Sequence, residues 1–402
     1  MRRPCLSLLQ TVGSRMHILV VPSFFPSDYA PGTGVFVRDQ VDCVRRQGYE
    51  VGVAYSDLRS LRGFSPASLG QHHFQLSKEQ GGIAPLVRWN AWNVPGRECA
   101  TTRVGIRKAF RSYEREFGRP DLVHAHCGLY AGVAALELKE RFGIPFVLTE
   151  HSSGYARDIV SDRMGSVLRD VFAAAERVVV VSEALLISIR PYCEDAVVIP
   201  NVVDTDFFGS GQTKLSPEFQ ITSVGFLREV KGFDVLLDAY ARLARDKPGV
   251  HLNIVGEGAL RSDLEDLAQH LDISNGVTFH GQLSRGDLRE LLLSSNLYVS
   301  ASRVETFGVA IAEAISCGLP IVATSSGGPQ EIVTSPGLGS LVPVDDTAGL
   351  ALEMARAFDS RPDLDVERAA NARAAMANRY GSQAVGDRLD HLYQEVARRL
   401  NR

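Results

Sequence analysis

Residues 297–331, LYVSASRVETFGVAIAEAISCGLPIVATSSGGPQE, read as two successive strand-loop-helix units. Leu297-Tyr-Val-Ser300 is a short apolar strand. The polar run 301–307 interrupts it, and from Gly308 the sequence turns to helix formers, 309–315, which Gly318 and Pro320 bring to a stop. A second buried strand, 321–324, follows at once and ends in Ser325-Ser-Gly-Gly328. Two loops therefore leave one sheet edge side by side, the edge at which open α/β sheets bind their ligands.

Between Gly308 and Gly328 the only charged side chain is Glu313, set among alanines and isoleucines. A carboxylate buried without donors costs several kcal/mol, on the order of 3–5 in measured cases, so the pattern predicts that an external partner such as a pair of sugar hydroxyls satisfies Glu313. Glu305 lies eight residues earlier. At about 100° per residue it would not share a helical face with Glu313, so it is expected in the loop ahead of the helix. Backbone N–H groups from Phe307, Gly308 and Val309 at that helix start favour an anion, with Gly308 permitting its close approach and one acid standing beside it.

In this setting, S-x-x-E-x-F-G-x-x-x-x-E-A-x-x-x-G-x-P-[IV]-[IV]-A, followed by Gly327, Gly328 and Glu331, resembles the retaining, nucleotide-sugar-dependent glycosyltransferases of family 4, also called glycosyltransferase group 1. The resemblance spans nearly the whole chain. It implies a GT-B fold: two Rossmann-like α/β domains facing each other across a cleft, with a C-terminal helix crossing back to the first. By matching position it assigns Glu305 to the transferred sugar and donor phosphate, and Glu313 to the nucleotide ribose. The donor would be a nucleoside diphosphate sugar and the acceptor a saccharide or lipid-linked hydroxyl compound.

At 402 residues the chain suits two domains of about 200. Its 22% charged and 45% hydrophobic residues are those of an ordinary globular protein rather than a disordered or fibrous one. Residues 1–200 hold 24 basic against 20 acidic side chains, whereas 201–402 hold 19 against 27. The basic first half is the side on which an anionic acceptor or a peripheral membrane contact is expected. Six cysteines at 5, 43, 99, 127, 193 and 317 show neither CxxC nor metal-ligand spacing, which fits reduced thiols in a cytoplasm. No apolar run approaches the ~20 residues of a membrane span. The opening 1–15 is too polar for a secretory signal and reads as an extension, with Met16 an alternative start.

Working along the chain, His17-Ile-Leu-Val-Val21 predicts a doubly buried strand. The loop after it holds Gly32-Thr-Gly34, and a helix and a further strand complete a βαβ unit. The resemblance places Gly32 and Gly34 at the donor. Residues 56–96 show little periodicity and suit acceptor-specific variation. Arg103, Arg107, Lys108, Arg111 and Arg115 recur at helical spacing, which leaves two readings open, a solvated face or a docking face. His124 and His126 share one face of a strand. No further ligand accompanies them at usual spacing, and no Asp-x-Asp stands at a strand end, so no metal is expected. Gly128 is expected to open a helix over 129–141. The strand 145–149 delivers Glu150-His151-Ser152, similar to the family's loop with a histidine near the transferred sugar. His151 is thus the first candidate for a polar or catalytic contact to sugar or acceptor, and His126 the second.

The alternation restarts after 217, giving domains of 16–200 and 218–380, a linker 201–217, and a crossover helix within 381–402. In Gly225-Phe-Leu-Arg-Glu-Val-Lys231-Gly232, Lys231 falls at a helix start, where a cation is disfavoured by ~0.3–1 kcal/mol unless an anion binds between them. The family's pattern there is G-R-L-x-x-x-K-G. Lys231 matches the diphosphate lysine, Phe226 replaces the arginine, and Arg228 is the nearest cation able to compensate. The same anion site would also serve a GT-B epimerase or phosphorylase, or a non-catalytic sugar-nucleotide-binding subunit.

Overall fold

The computed structural model describes residues 16–27, 32–60, 73–79, 82–93, 95–211, 218–360 and 366–402. The extension 1–15 and part of the linker, 212–217, lie outside them. The described chain divides into two units. One holds the residues up to Val181, Leu186–Ile199 and Val385–Arg402; the other holds Ser182–Leu185 and Pro200–Ala384.

In the first unit the apolar run His17–Pro22 forms β1, buried along its whole length because the sheet is covered on both faces. The remaining strands are β2 (Glu50–Ser60), β3 (Gln75–Glu79), β4 (Leu86–Asn93), β5 (Leu122–His126), β6 (Phe146–Glu150), β7 (Arg177–Val180) and β8 (Ala196–Val198). They are ordered β3-β4-β2-β1-β5-β6-β7-β8, parallel except for the β3–β4 pair. The order reverses between β1 and β5, so the loops leaving these two strands part at the place where such sheets bind ligands.

Two strands occupy the region without periodicity. β4 alternates apolar and polar residues over 87–91, yet both of its faces are buried. Val87, Trp89 and Ala91 are packed in the core, while Arg88 and Asn90 are buried and hydrogen-bonded, Arg88 to Pro26 O (3.2 Å) and Asn90 to Ser77 Oγ (3.2 Å). The helix expected from 129 begins later. The chain first makes a kinked turn, Gly128–Gly132, with Tyr130 at φ 59°, and only then the helix Val133–Phe142.

The last helix, Ser382–Leu400, lies in the first unit from Val385 onward, as the crossover expectation required. Val385, Leu389, Leu392, Tyr393 and Val396, at helical spacing, are buried there. Tyr49 donates to Asp390 (2.7 Å), and Arg177 pairs with Glu395 (2.7 Å).

In the second unit β9 (Phe219–Val224), β10 (Val250–Val255), β11 (Val277–Gly281), β12 (Leu297–Ser300), β13 (Ile321–Thr324) and β14 (Gly339–Val342) form an all-parallel sheet ordered β11-β10-β9-β12-β13-β14. Leu252, Ile254, Leu297 and Val299 of the strands pack with Phe233, Leu236 and Tyr240 of the helix Phe233–Asp246 and with Met354 of the helix Thr347–Ser360. The stretch read as a linker is partly packed: Thr205–Gly209 is a short helix capped by Asp204, and Val202, Val203 and Phe208 are buried. Here the order reverses between β9 and β12, which places the loops 225–232 and 301–308 side by side.

Candidate active site

Lys231 and Glu305 meet where those two loops adjoin. Lys231 closes a single turn, Glu229–Lys231, and Gly232 at φ 63° redirects the chain into the helix Phe233–Asp246. The αL conformation suits glycine, and a Cβ there would run into Ala301 O of the neighbouring loop. Glu305 is fixed from the other side. Its N–H donates to Ser326 O (2.9 Å) and its carbonyl accepts from Gly328 N (2.8 Å), a parallel bridge between the loops after β12 and β13. The Lys231 ammonium and the Glu305 carboxylate form an ion pair, 25% and 17% exposed. Glu305 thus lies in the loop ahead of the helix, as its spacing from Glu313 predicted, and it pairs with the cation of the neighbouring turn.

Gly308, at φ 105°, starts the helix Val309–Ser316, whose first-turn N–H groups have no intrahelical acceptors. Phe307 is buried edge-on against Tyr380, with ring centroids 5.2 Å apart. Glu313 corrects the expectation drawn from its apolar neighbours, because it is half-exposed rather than buried. The helix buries Ile311, Ala312, Ala314 and Ile315 and leaves Glu313 partly exposed, so burial alone does not oblige a ligand to satisfy it. Arg228 is exposed with its guanidinium over the Phe226 ring at 5.2 Å, a cation–π contact rather than a pairing with Glu229.

Arg303, Asp234, Ser182 and Glu331 also shape this site, and sequence reasoning missed their roles. Ser182 Oγ donates to Thr306 O (2.5 Å), and the Glu331 carboxylate accepts from Ala184 N (3.1 Å), both within the second unit. Neither contact had a sequence signal, since both join segments over 120 residues apart.

In the first unit Gly34, at φ 74°, starts the helix Val35–Arg46, and a Cβ on it would lie 2.5 Å from Phe24 O. Gly32 is exposed. His151 lies against Phe36 (centroids 4.6 Å) and His126 (5.3 Å), with His126 Nδ1 and His151 Nε2 3.0 Å apart. Phe36, on the helix that Gly34 starts, is thus brought together with His126 and His151. The loop that carries His151 is held by Glu150, a buried carboxylate accepting from the N–H groups of Gly128 (2.7 Å), His151 (2.7 Å) and Ser152 (2.8 Å) and from Tyr155 Oη (2.8 Å). Burial, and then the Glu150 charge, push the Tyr155 hydroxyl up, so it stays protonated and donates.

His124 has both ring nitrogens engaged, with Tyr393 Oη (2.6 Å) and Thr149 Oγ1 (2.7 Å). Burial lowers its pKa to about 3, and burial together with His124 and His151 holds His126 well below the usual imidazole range, so both are neutral. Among the described residues no group of three or more His, Cys, Asp or Glu side chains is placed to hold a metal ion.

The basic helix face is paired in part, while Lys108, Arg111 and Arg115 are exposed. On the helix Glu98–Phe117, Arg103 and Arg107 both reach the buried Glu137 at 2.7 Å, joined by Arg141 at 2.8 Å, and Lys108 lies over the Trp89 ring at 4.0 Å.

Two family models divide the chain between them, that of the family 4 glycosyltransferases over residues 31–207 and that of the glycosyl transferases group 1 over 208–375. A D-inositol 3-phosphate glycosyltransferase of Xylanimonas cellulosilytica is 30% identical over 97% of this chain and 99% of its own. The chain belongs to the group 1 glycosyltransferases. Solved structures place this glycosyltransferase in the GT-B fold. A sucrose-phosphate synthase from Thermosynechococcus elongatus superposes with a TM-score of 0.76 at 22% identity, covering 95% of this chain and 99% of that one. The Anabaena protein HepE, solved with UDP-glucose, gives 0.71 at 20% identity over 95% and 100%. Among the described residues of the glycosyltransferase, no helix is long and apolar enough to cross a membrane.

Proposed function

We propose that this glycosyltransferase moves a hexosyl group from a nucleoside diphosphate sugar to a hydroxyl of a glycan, lipid-linked saccharide or other glycoconjugate precursor, with retention at the anomeric carbon. The anomeric C–O bond breaks, its electron pair leaves on the diphosphate, and the acceptor oxygen forms the new bond on the face just vacated while its proton passes to the departing diphosphate. The observation that carries this reading is the Lys231–Glu305 ion pair, held between the loops after β9 and β12 beside the N-terminus of the helix Val309–Ser316.

A departing diphosphate would draw the Lys231 ammonium away from Glu305, and the N–H groups at 307–309 would meet its remaining charge. Preorganised donors of this type contribute about 3–4 kcal/mol each to a transition state. Glu305, relieved of its partner, would then face the carbon on which positive charge develops. Glu313 is assigned to the nucleotide ribose, His151 and His126 to the sugar or acceptor, and Gly32 and Gly34 to the donor. Arg228, exposed over Phe226, is the nearest cation able to add a phosphate contact. Lysine and helix dipole supply the positive charge, so no divalent metal is required, and transfer is expected to survive excess EDTA.

HepE was solved with UDP-glucose, which makes that the first donor to test. A thermal-shift screen of UDP-, GDP- and ADP-sugars tests the reading, because a ligand at 100 times its Kd adds about 2.7 kcal/mol to stability. Binding without net transfer, or a product epimerised or cleaved by phosphate, would instead support the readings as a binding subunit, an epimerase or a phosphorylase.

A further inference from the structure

The Lys231–Glu305 pair joins two separate loops, and one ion pair between long side chains does not by itself fix the distance between their backbones. Arg303 can. Its own N–H donates to Val230 O (2.8 Å), and its guanidinium donates through Nη1 to Glu229 O (2.7 Å), both in the turn that carries Lys231. The same guanidinium grips Asp234, in the first turn of the helix that follows, through Nη1 (3.0 Å) and Nη2 (2.7 Å), and its Nε reaches Asp345 at 2.7 Å. One side chain thus ties the Glu305 loop to the Lys231 turn, to the start of the next helix and to the segment after β14.

We propose that Arg303 is a positioning residue for the transfer reaction, setting the separation between Lys231 and Glu305 by clamping the loop 301–308 to the turn Glu229–Lys231. The reaction rests on the donor reading above; the clamp does not. Bidentate contact with Asp234, with Nε directed to a second carboxylate, requires the planar fork of arginine. A lysine at 303 would place one ammonium where the fork now serves four acceptors. The hydrogen bond with Asp234 raises the Arg303 pKa further, so the guanidinium stays charged. For Asp234, burial opposes ionisation, but the Arg303 hydrogen bond prevails and lowers its pKa.

The chain has only six lysines, so lysine ε-carbons labelled with 13C give a sparse NMR spectrum in which K231R identifies the Lys231 signal. In R303M the Lys231 signal should move in the same direction as in E305Q, and in R303K by a smaller amount. UDP affinity should fall at least fivefold in R303M, because the turn that carries Lys231 loses its backbone anchor whereas E305Q only frees the ammonium, and R303M added to K231M should change it less than twofold, since a residue acting through Lys231 has nothing left to position. If the Lys231 signal stays at its wild-type position in folded R303M and R303K, or if the two substitutions weaken UDP binding independently, the clamp is wrong. R303K covers the case in which R303M does not fold. Should the signal shift on loss of Arg303 while UDP, GDP and ADP leave the wild-type signal unmoved, the positioning role stands and the donor reading falls.

Discussion

Glu305 holds an ammonium that a substrate phosphate would claim, so its removal separates binding from chemistry. Glu305→Gln should leave donor affinity unchanged or tighter, because Lys231 is released toward the phosphates, while kcat falls on the order of 100-fold. Retained kcat with weaker donor binding would make Glu305 a ground-state contact only. The histidines of the first unit lead to a pH prediction. His124, with a pKa of about 3, and His126, held well below the usual range, must both charge on unfolding in acid. Their contribution to stability is complete above about pH 6.5 and is lost as pH falls toward the folded values, by up to ~1.4 kcal/mol per pH unit for each proton. Urea titrations between pH 7 and 4 should show this slope, reduced by about one proton in His124→Gln; an unchanged slope would mean that His124 is protonated in the native state. At this scale the sequence made Glu305 and Lys231 legible because their spacing matched a motif. Arg303 and Glu150 were not legible, because their partners are brought near only by the topology. Glu313 was misjudged because apolar composition does not say which way a helix is turned.

Gly308 and the helix Glu98–Phe117 show what single elements require. At φ 105° a side chain on Gly308 is strained by about 1–2 kcal/mol, so Gly308→Ala should lower donor affinity by tilting the start of the helix Val309–Ser316. Calorimetry showing wild-type affinity would detach that helix start from the donor. On the helix Glu98–Phe117, Arg103 and Arg107 converge on Glu137, whose pKa burial would raise but the hydrogen bonds from Arg107, Arg103 and Arg141 hold at about 2. Glu137→Gln should therefore cost roughly 2 kcal/mol in denaturant titration near neutral pH, and less as pH drops below about 4.5. An unchanged midpoint would return the arginines to a solvated or docking face. Strands buried on both faces through apolar residues were readable, as in β1 and β13. β4 was not read as a doubly buried strand, because Arg88 and Asn90 alternate with its apolar residues and find their partners only in the folded sheet.

At the scale of the whole molecule, the two rounds of βα alternation announced two sheets, and the family match accounts for the return of the last helix to the first unit. That return is energetic as well as topological. Removing residues 385–402 would expose the surfaces now covered by Val385, Leu389, Leu392, Tyr393 and Val396, at about 1.5–3 kcal/mol per side chain. The sum, roughly 10 kcal/mol, rivals the stability of a domain, so the truncated first unit should lose its cooperative calorimetric transition. Residues 56–96, the segment suited to acceptor-specific variation, carried no motif from which an acceptor could be read.

The seat of the donor diphosphate at Lys231 is what the account depends on most. Isothermal titration of UDP, GDP and ADP into the wild-type protein and Lys231→Met tests it directly. The account predicts that one of the three binds the wild type and binds Lys231→Met at least tenfold more weakly, about 1.4 kcal/mol. Equal affinity for a folded Lys231→Met would contradict it.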